Sequence, residues 1–200
     1  MGVGFVYVLL EVKKSHYLWY FCIASAVLNL VVFYHNSYLS MALLQFYYIG
    51  NSIYGIKQFL KMRDEAIAIY GPGPENRGKK LAISHFNWKV GIAAAVIAVV
   101  LFLVIAPIMK SYAEANGTAA FPSQPYWDAF IAVGSMLATF YLSKSFMCQW
   151  YLWLVINVIS TVIFAMSGMY WMSLMYFSYI VISSFGLRNW IRNGVYIEIE

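Results

Sequence analysis

The chain has 200 residues, 62% of them hydrophobic and only 10% charged, with a formal charge of +5. A soluble domain carries roughly 25% charged residues, and so few charges cannot cover a water-facing surface of this size. A soluble globular fold is excluded, and so is a disulfide framework: Cys22 and Cys148 sit in or beside apolar runs without disulfide or metal spacing.

Uncharged runs mark the expected membrane spans, each needing roughly 20 residues. Met1 to Leu10 is short and ends in Glu11, Lys13 and Lys14. It lacks a small-residue cleavage site, so it reads as the last part of a first helix rather than a signal peptide. Tyr17 to Tyr34 is the second span and Tyr38 to Ile56 the third. Val90 to Met109 is the fourth, and Ala129 to Ser143 the fifth, extended by Tyr126 and Trp127 at the headgroup level. Ser145 to Leu187 then runs for 43 residues without a charge. That is two spans, with Ser167-Gly168 as the natural break, giving seven helices in an all-α membrane protein.

The charges orient the spans. With the end of the third span in the cytoplasm, beside Lys57, Lys61 and Arg63, alternation puts every basic residue on that side except Lys110. That charge placement explains the net +5 as membrane topology, with no nucleic-acid partner. The amino terminus is expected outside and the carboxyl terminus inside. The expected organisation is a three-helix unit at 1–61 with a short first helix and a cytoplasmic loop at 62–88. A linker helix follows at 89–110, then an extracytoplasmic loop at 111–126, a second three-helix unit at 127–192 and a cytoplasmic tail at 193–200.

An internal repeat supports the two units. Tyr17-Leu18-Trp19 recurs as Tyr151-Leu152-Trp153. Leu43, Phe46, Tyr48, Ile49, Ser52 and Gly55 recur as Leu174, Phe177, Tyr179, Ile180, Ser183 and Gly186, and Lys57 and Lys61 as Arg188 and Arg192. The two matches differ in frame by three residues, which places a longer outer turn in the first copy. An odd linking helix gives both copies the same orientation, a parallel repeat of three plus one plus three helices, SWEET-like in plan but full length.

The polar residues inside the spans are the candidate chemistry. Trp150, Trp153 and Asn157 share one face of the sixth span, continued by Ser160 and Thr161. Two indoles beside a carboxamide can hold a flat ring and its amide or hydroxyl groups. The alternatives are an interface-belt role for Trp150 and a helix clamp for Asn157. On the third span Gln45, Tyr48 and Ser52 form one stripe and Tyr47, Asn51, Tyr54 and Gln58 the next, so this broad face must look inward. The seventh span repeats part of it as Tyr176, Tyr179 and Ser183. Ser52, Ser183, Gly55 and Gly186 read as helix-packing positions, whereas Gln45, Tyr48 and Asn51 read equally as ligand contacts.

Acids near the spans are limited to Glu11 and Asp128, so no buried carboxylate relay offers proton coupling. The seventh span has no lysine for a retinal Schiff base, and His16, His35 and His85 lack zinc spacing. Gly73 to Lys80 imitates a phosphate loop without the Ser or Thr after its lysine. No nucleophile–base pair suggests an enzyme, and no cofactor is called for.

Met41 to Gly55 and the Trp150-x-x-Trp153-x-x-x-Asn157 run resemble the PnuC family of vitamin transporters over roughly residues 5–192. The resemblance implies a homotrimer in the bacterial inner membrane, facilitated uptake of nicotinamide riboside, and a functional link to a cytoplasmic riboside kinase. Related members carry thiamine or riboflavin. The competing readings are a seven-helix receptor without transport and a SWEET-type sugar carrier.

Overall fold

A computed structural model describes residues 17–35, 39–70, 81–117, 119 and 121–197. The expected first helix and the Gly73–Lys80 loop lie outside them. In chain order the elements are α1 (Tyr17–His35), α2 (Leu39–Tyr70), β1 (Leu81–Ser84), α3 (Trp88–Asn116), α4 (Gln124–Ser143), α5 (Cys148–Met166), α6 (Tyr170–Asn193) and β2 (Gly194–Ile197). Helices α1 to α6 correspond to the second to seventh expected spans. Among the described residues α3, α5 and α6 are long and apolar enough to cross a membrane, and Tyr17–Val31 is a shorter apolar stretch. The long uncharged run does break at Ser167-Gly168, where Gly168 adopts φ 73°, a left-handed conformation that a side chain disfavours.

Two compact units emerge. One holds α1, α2, both strands and the Leu142–Phe146 turn; the other holds α3, most of α4, α5 and α6 as far as Leu187. In the first unit α1 packs along α2, and Leu18, Trp19 and Leu142 form a buried cluster flanked by Ile56 and Phe59. Helix α2 runs to Tyr70, past the expected end of the span at Ile56 and into the segment expected as loop. Met62 is buried there, and Lys61 pairs with Glu65 one turn on at 3.7 Å. The expected tail also contains structure: β2 pairs in parallel with β1, Leu81 opposite Gly194 and Ser84 opposite Ile197. Gly194 lets the chain leave α6 directly into the strand, because a Cβ there would collide with Ile83 and the Trp190 carbonyl. The Ser84 N–H donates to the carbonyl of Ser145 (3.3 Å), a buried residue held at φ 56°.

In the second unit the Asn87 side chain caps α3, accepting from the N–H groups of Lys89 (3.1 Å) and Val90 (3.3 Å). The Phe86 ring lies over Gly91, and the Tyr141 hydroxyl donates to the Gly91 carbonyl at 2.8 Å, which ties α3 to α4. At the other end of α3, Gly117 closes the helix at φ 61° with its N–H on the Ala113 carbonyl. Ile92, Val96, Val100, Leu103 and Val104 of α3 are each more than half exposed. An apolar surface of that extent is stable against lipid, not water.

The pairs α1–α2 and α5–α6 correspond at one constant offset. Both starts and the end of the first helix differ by 131 residues, 17 to 148, 35 to 166 and 39 to 170, whereas α2 runs on to Tyr70, beyond the counterpart of the α6 end at Asn193. At this offset Trp19 matches Trp150 and Gly55 matches Gly186, and the contacts match too. A Cβ on Gly55 would come within 2.6 Å of the Trp19 six-membered ring, and one on Gly186 would collide with the same ring of Trp150. This corrects the expected register. The Tyr-Leu-Trp match is three residues out of phase, and the connection from α1 to α2 is as long as that from α5 to α6. What the fold repeats is an indole seated on a helix glycine, because helices in lipid associate by close packing at small residues.

Candidate functional site

Helices α5 and α6 build the richer constellation. Trp150 is fully buried, its ring over Gly186, which rules out the interface-belt alternative and makes it the spacer between the helices. Two turns on, the Asn157 Nδ2 donates to the Ser183 hydroxyl at 3.4 Å, a long hydrogen bond. The Thr161 hydroxyl donates to the Asn157 carbonyl (2.7 Å), and Ser173 reaches across from α6 to the Thr161 carbonyl (2.8 Å). Tyr176 stacks on Phe164 with ring centres 5.2 Å apart and planes 17° apart, and meets Tyr179 edge-on at 5.8 Å. Trp153 keeps its Nε1 buried with no hydrogen-bond partner among the described residues. Between Cys148 and Leu187 there is no charged side chain. Such a wall can hold a flat cation through ring faces, worth about 0.5–2 kcal/mol, while the carboxamide and hydroxyls orient it.

In the other unit, α2 carries Gln45 and Asn51, both buried, with Tyr48 half-buried between them. Phe46, Ile53 and Leu60, at steps of seven, form its exposed stripe, so the polar face does look inward. Tyr47 and Tyr48 meet edge-on at 5.6 Å. Ser52 is buried, and its hydroxyl donates to the Tyr48 carbonyl of its own helix (2.7 Å). Lys144 lies over the Tyr54 ring at 5.0 Å, and Gln58 donates to the Tyr54 hydroxyl at 2.8 Å.

The expected site residues therefore fall into two sets. Trp150, Trp153, Asn157, Tyr176 and Tyr179 belong to α5–α6, and Gln45, Tyr48 and Asn51 to α2. The structure adds Gln149, which is fully buried yet was not singled out from sequence. It lies inside the uncharged run, four residues before Trp153, but only its burial sets it apart from an ordinary glutamine at a helix start.

The chain matches the nicotinamide mononucleotide transporter family over residues 1–192. It belongs to that family. The family is one of membrane transporters and not of enzymes. Among its relatives, the nicotinamide riboside transporter PnuC of Escherichia coli (strain K12) is 41% identical over 70 residues, 35% of this chain and 29% of that protein. The riboflavin/roseoflavin transporter RibM of Streptomyces davaonensis is 24% identical over 131 residues, 62% of this chain and 59% of that one. The chain thus spans less than two thirds of the length of each of these relatives. The crystal structure of the vitamin B3 transporter PnuC shares the fold, with a TM-score of 0.58 at 20% identity over 95% of this chain and 77% of that one.

Proposed function

We propose that the chain carries nicotinamide riboside across the bacterial inner membrane by facilitated diffusion. The observation that carries the reading is the α5–α6 wall: Trp153, Asn157, Ser183, Tyr176 and Tyr179 within a stretch free of charge. Nicotinamide riboside joins a pyridinium cation, a carboxamide and a ribose. Ring faces take the cation, and Asn157 takes the amide or the ribose hydroxyls; Gln45 and Asn51 are the polar candidates of the other unit. The constant offset between helix pairs supports two parallel three-helix repeats with α3 as linker, moving in alternation to expose the site to either side. The amino terminus then lies outside and the carboxyl terminus in the cytoplasm, and three copies assemble.

No carboxylate lies on α5 or α6 to couple transport to protons, so accumulation depends on trapping. Phosphorylation by a cytoplasmic riboside kinase adds about −1.5 to −2 charges and bars return through a site made for a single cation. Riboflavin is the second reading, favoured by the longer aligned stretch with RibM. Liposomes holding only this protein test the transport claim. Labelled nicotinamide riboside should equilibrate without being concentrated. Uphill uptake driven by an imposed proton or sodium gradient would refute the uniport.

A further inference from the structure

Both ends of the Gln149 carboxamide, the Trp153 Nε1 and the Ser160 hydroxyl of α5 are buried without a hydrogen-bond partner among the described residues. Gln149 and Ser160 are fully buried. Steps of four and seven put the three side chains within about 40° of one another around the helix, along roughly 16 Å of its axis. Asn157 and Thr161, on the adjacent stripe, are bonded.

A buried carboxamide left unbonded destabilises a fold, whereas an apolar side chain of the same size does not. The matching helix shows that this architecture accepts the apolar choice. At the 131-residue offset Gln149 corresponds to Leu18, buried against Trp19 and Leu142. Trp153 corresponds to Cys22, and Ser160 to Asn29, which is exposed. The polar line is therefore peculiar to α5 and not required by the helix-pair fold.

We propose that Gln149 is a specificity-determining residue of the transport site. Its Nε2 donates to, and its Oε1 accepts from, a substrate edge carrying an acceptor and a donor side by side: a primary carboxamide or a cyclic imide. Trp153 and Ser160 continue the polar line along the rest of the ligand. The proposal rests on the transport reading and deepens it.

The test is binding to the purified full chain, with nicotinamide riboside against nicotinic acid riboside, whose carboxylate offers no donor. Wild-type protein should prefer the amide. Gln149→Leu, the residue of the matching helix, should melt no lower than wild type. It should weaken amide binding about tenfold and acid binding less than about twofold. Gln149→Asn, which withdraws the same group by one carbon, should fall between. If riboflavin is the ligand, the pair becomes riboflavin and N3-methylriboflavin, whose imide donor is blocked, with the same expected pattern. An amide or imide preference that persists in Gln149→Leu overturns the proposal and makes the carboxamide a water-bonded structural group. Equal losses for both analogues with a fallen melting temperature overturn it as well. Wild-type protein that binds neither pair overturns the transport reading itself, a result distinct from an unchanged preference in the variant.

Discussion

Helices α1–α2 and α5–α6 have the same plan and different chemistry. The same indole sits on the same glycine in each, Trp19 on Gly55 and Trp150 on Gly186. Around that contact the polar groups change places. In the second pair they lie on the first helix, where Gln149, Asn157 and Ser160 correspond in sequence to Leu18, Ala26 and Asn29 of α1. In the first pair they lie on the second helix, where Gln45 and Asn51 match Tyr176 and Ile182 of α6. Packing is what the two pairs hold in common, and the placement of buried polar side chains is where they diverge. A buried Trp–Gly contact constrains both partners in shape, whereas a neighbouring stripe can exchange leucine for glutamine as long as something bonds the glutamine.

Several substitutions test how far the two pairs are equivalent. The largest effect is expected at the glycines. Gly186→Val and Gly55→Val each drive a side chain into an indole and should cost about 1–3 kcal/mol. Melting curves in detergent should drop by similar amounts for the two, and a drop at only one would show that the pairs are not equivalent. Next come the polar positions. Trp153→Ala and Asn157→Ala should weaken nicotinamide riboside binding at least tenfold, about 1.4 kcal/mol, with the protein still folded. Cys22→Ala, at the position matching Trp153, should leave affinity within about twofold, since exchanges away from special features shift stability by only about 0.5 kcal/mol. Equal affinities across all three variants would move the site away from α5.

Smaller effects separate scaffold from site. Tyr141→Phe removes the hydroxyl that holds the Gly91 carbonyl at 2.8 Å. It should lower stability by about 1 kcal/mol and leave riboside affinity unchanged, as read by thermal melts and titration. Gly50→Ala should have the smallest effect and the opposite sign. Nothing lies within 4 Å of a Cβ there, so the added methyl should stabilise α2 by roughly 0.5–1 kcal/mol through helix propensity.

Spans read from the sequence wherever hydropathy alone decides them. The uncharged run from Ser145 to Leu187 gave the α5–α6 break because twice a bilayer's length must turn, and Gly168 is the residue that can. Boundaries in polar segments were less legible. Helix α2 continues to Tyr70 through the Lys61–Glu65 pair and buried Met62, and composition does not distinguish such a charged helix from a loop. The β1–β2 pairing joins segments more than a hundred residues apart, which local pattern does not reveal. The register slip had another cause. Tyr-Leu-Trp is a conspicuous triplet, but only the tertiary contact of each indole with its glycine fixes which tryptophans correspond. Asn157 stood out as a carboxamide in mid-span. Gln149 did not, because at the start of a helix glutamine is unremarkable until its burial is known.

A titration of the purified protein with nicotinamide riboside, nicotinamide, thiamine and riboflavin decides whether α5 carries a riboside site. Saturable binding strongest for nicotinamide riboside, and lost in Asn157→Ala, is the expected result. Saturable binding of none of the four, or binding that Asn157→Ala and Trp153→Ala leave untouched, would contradict it.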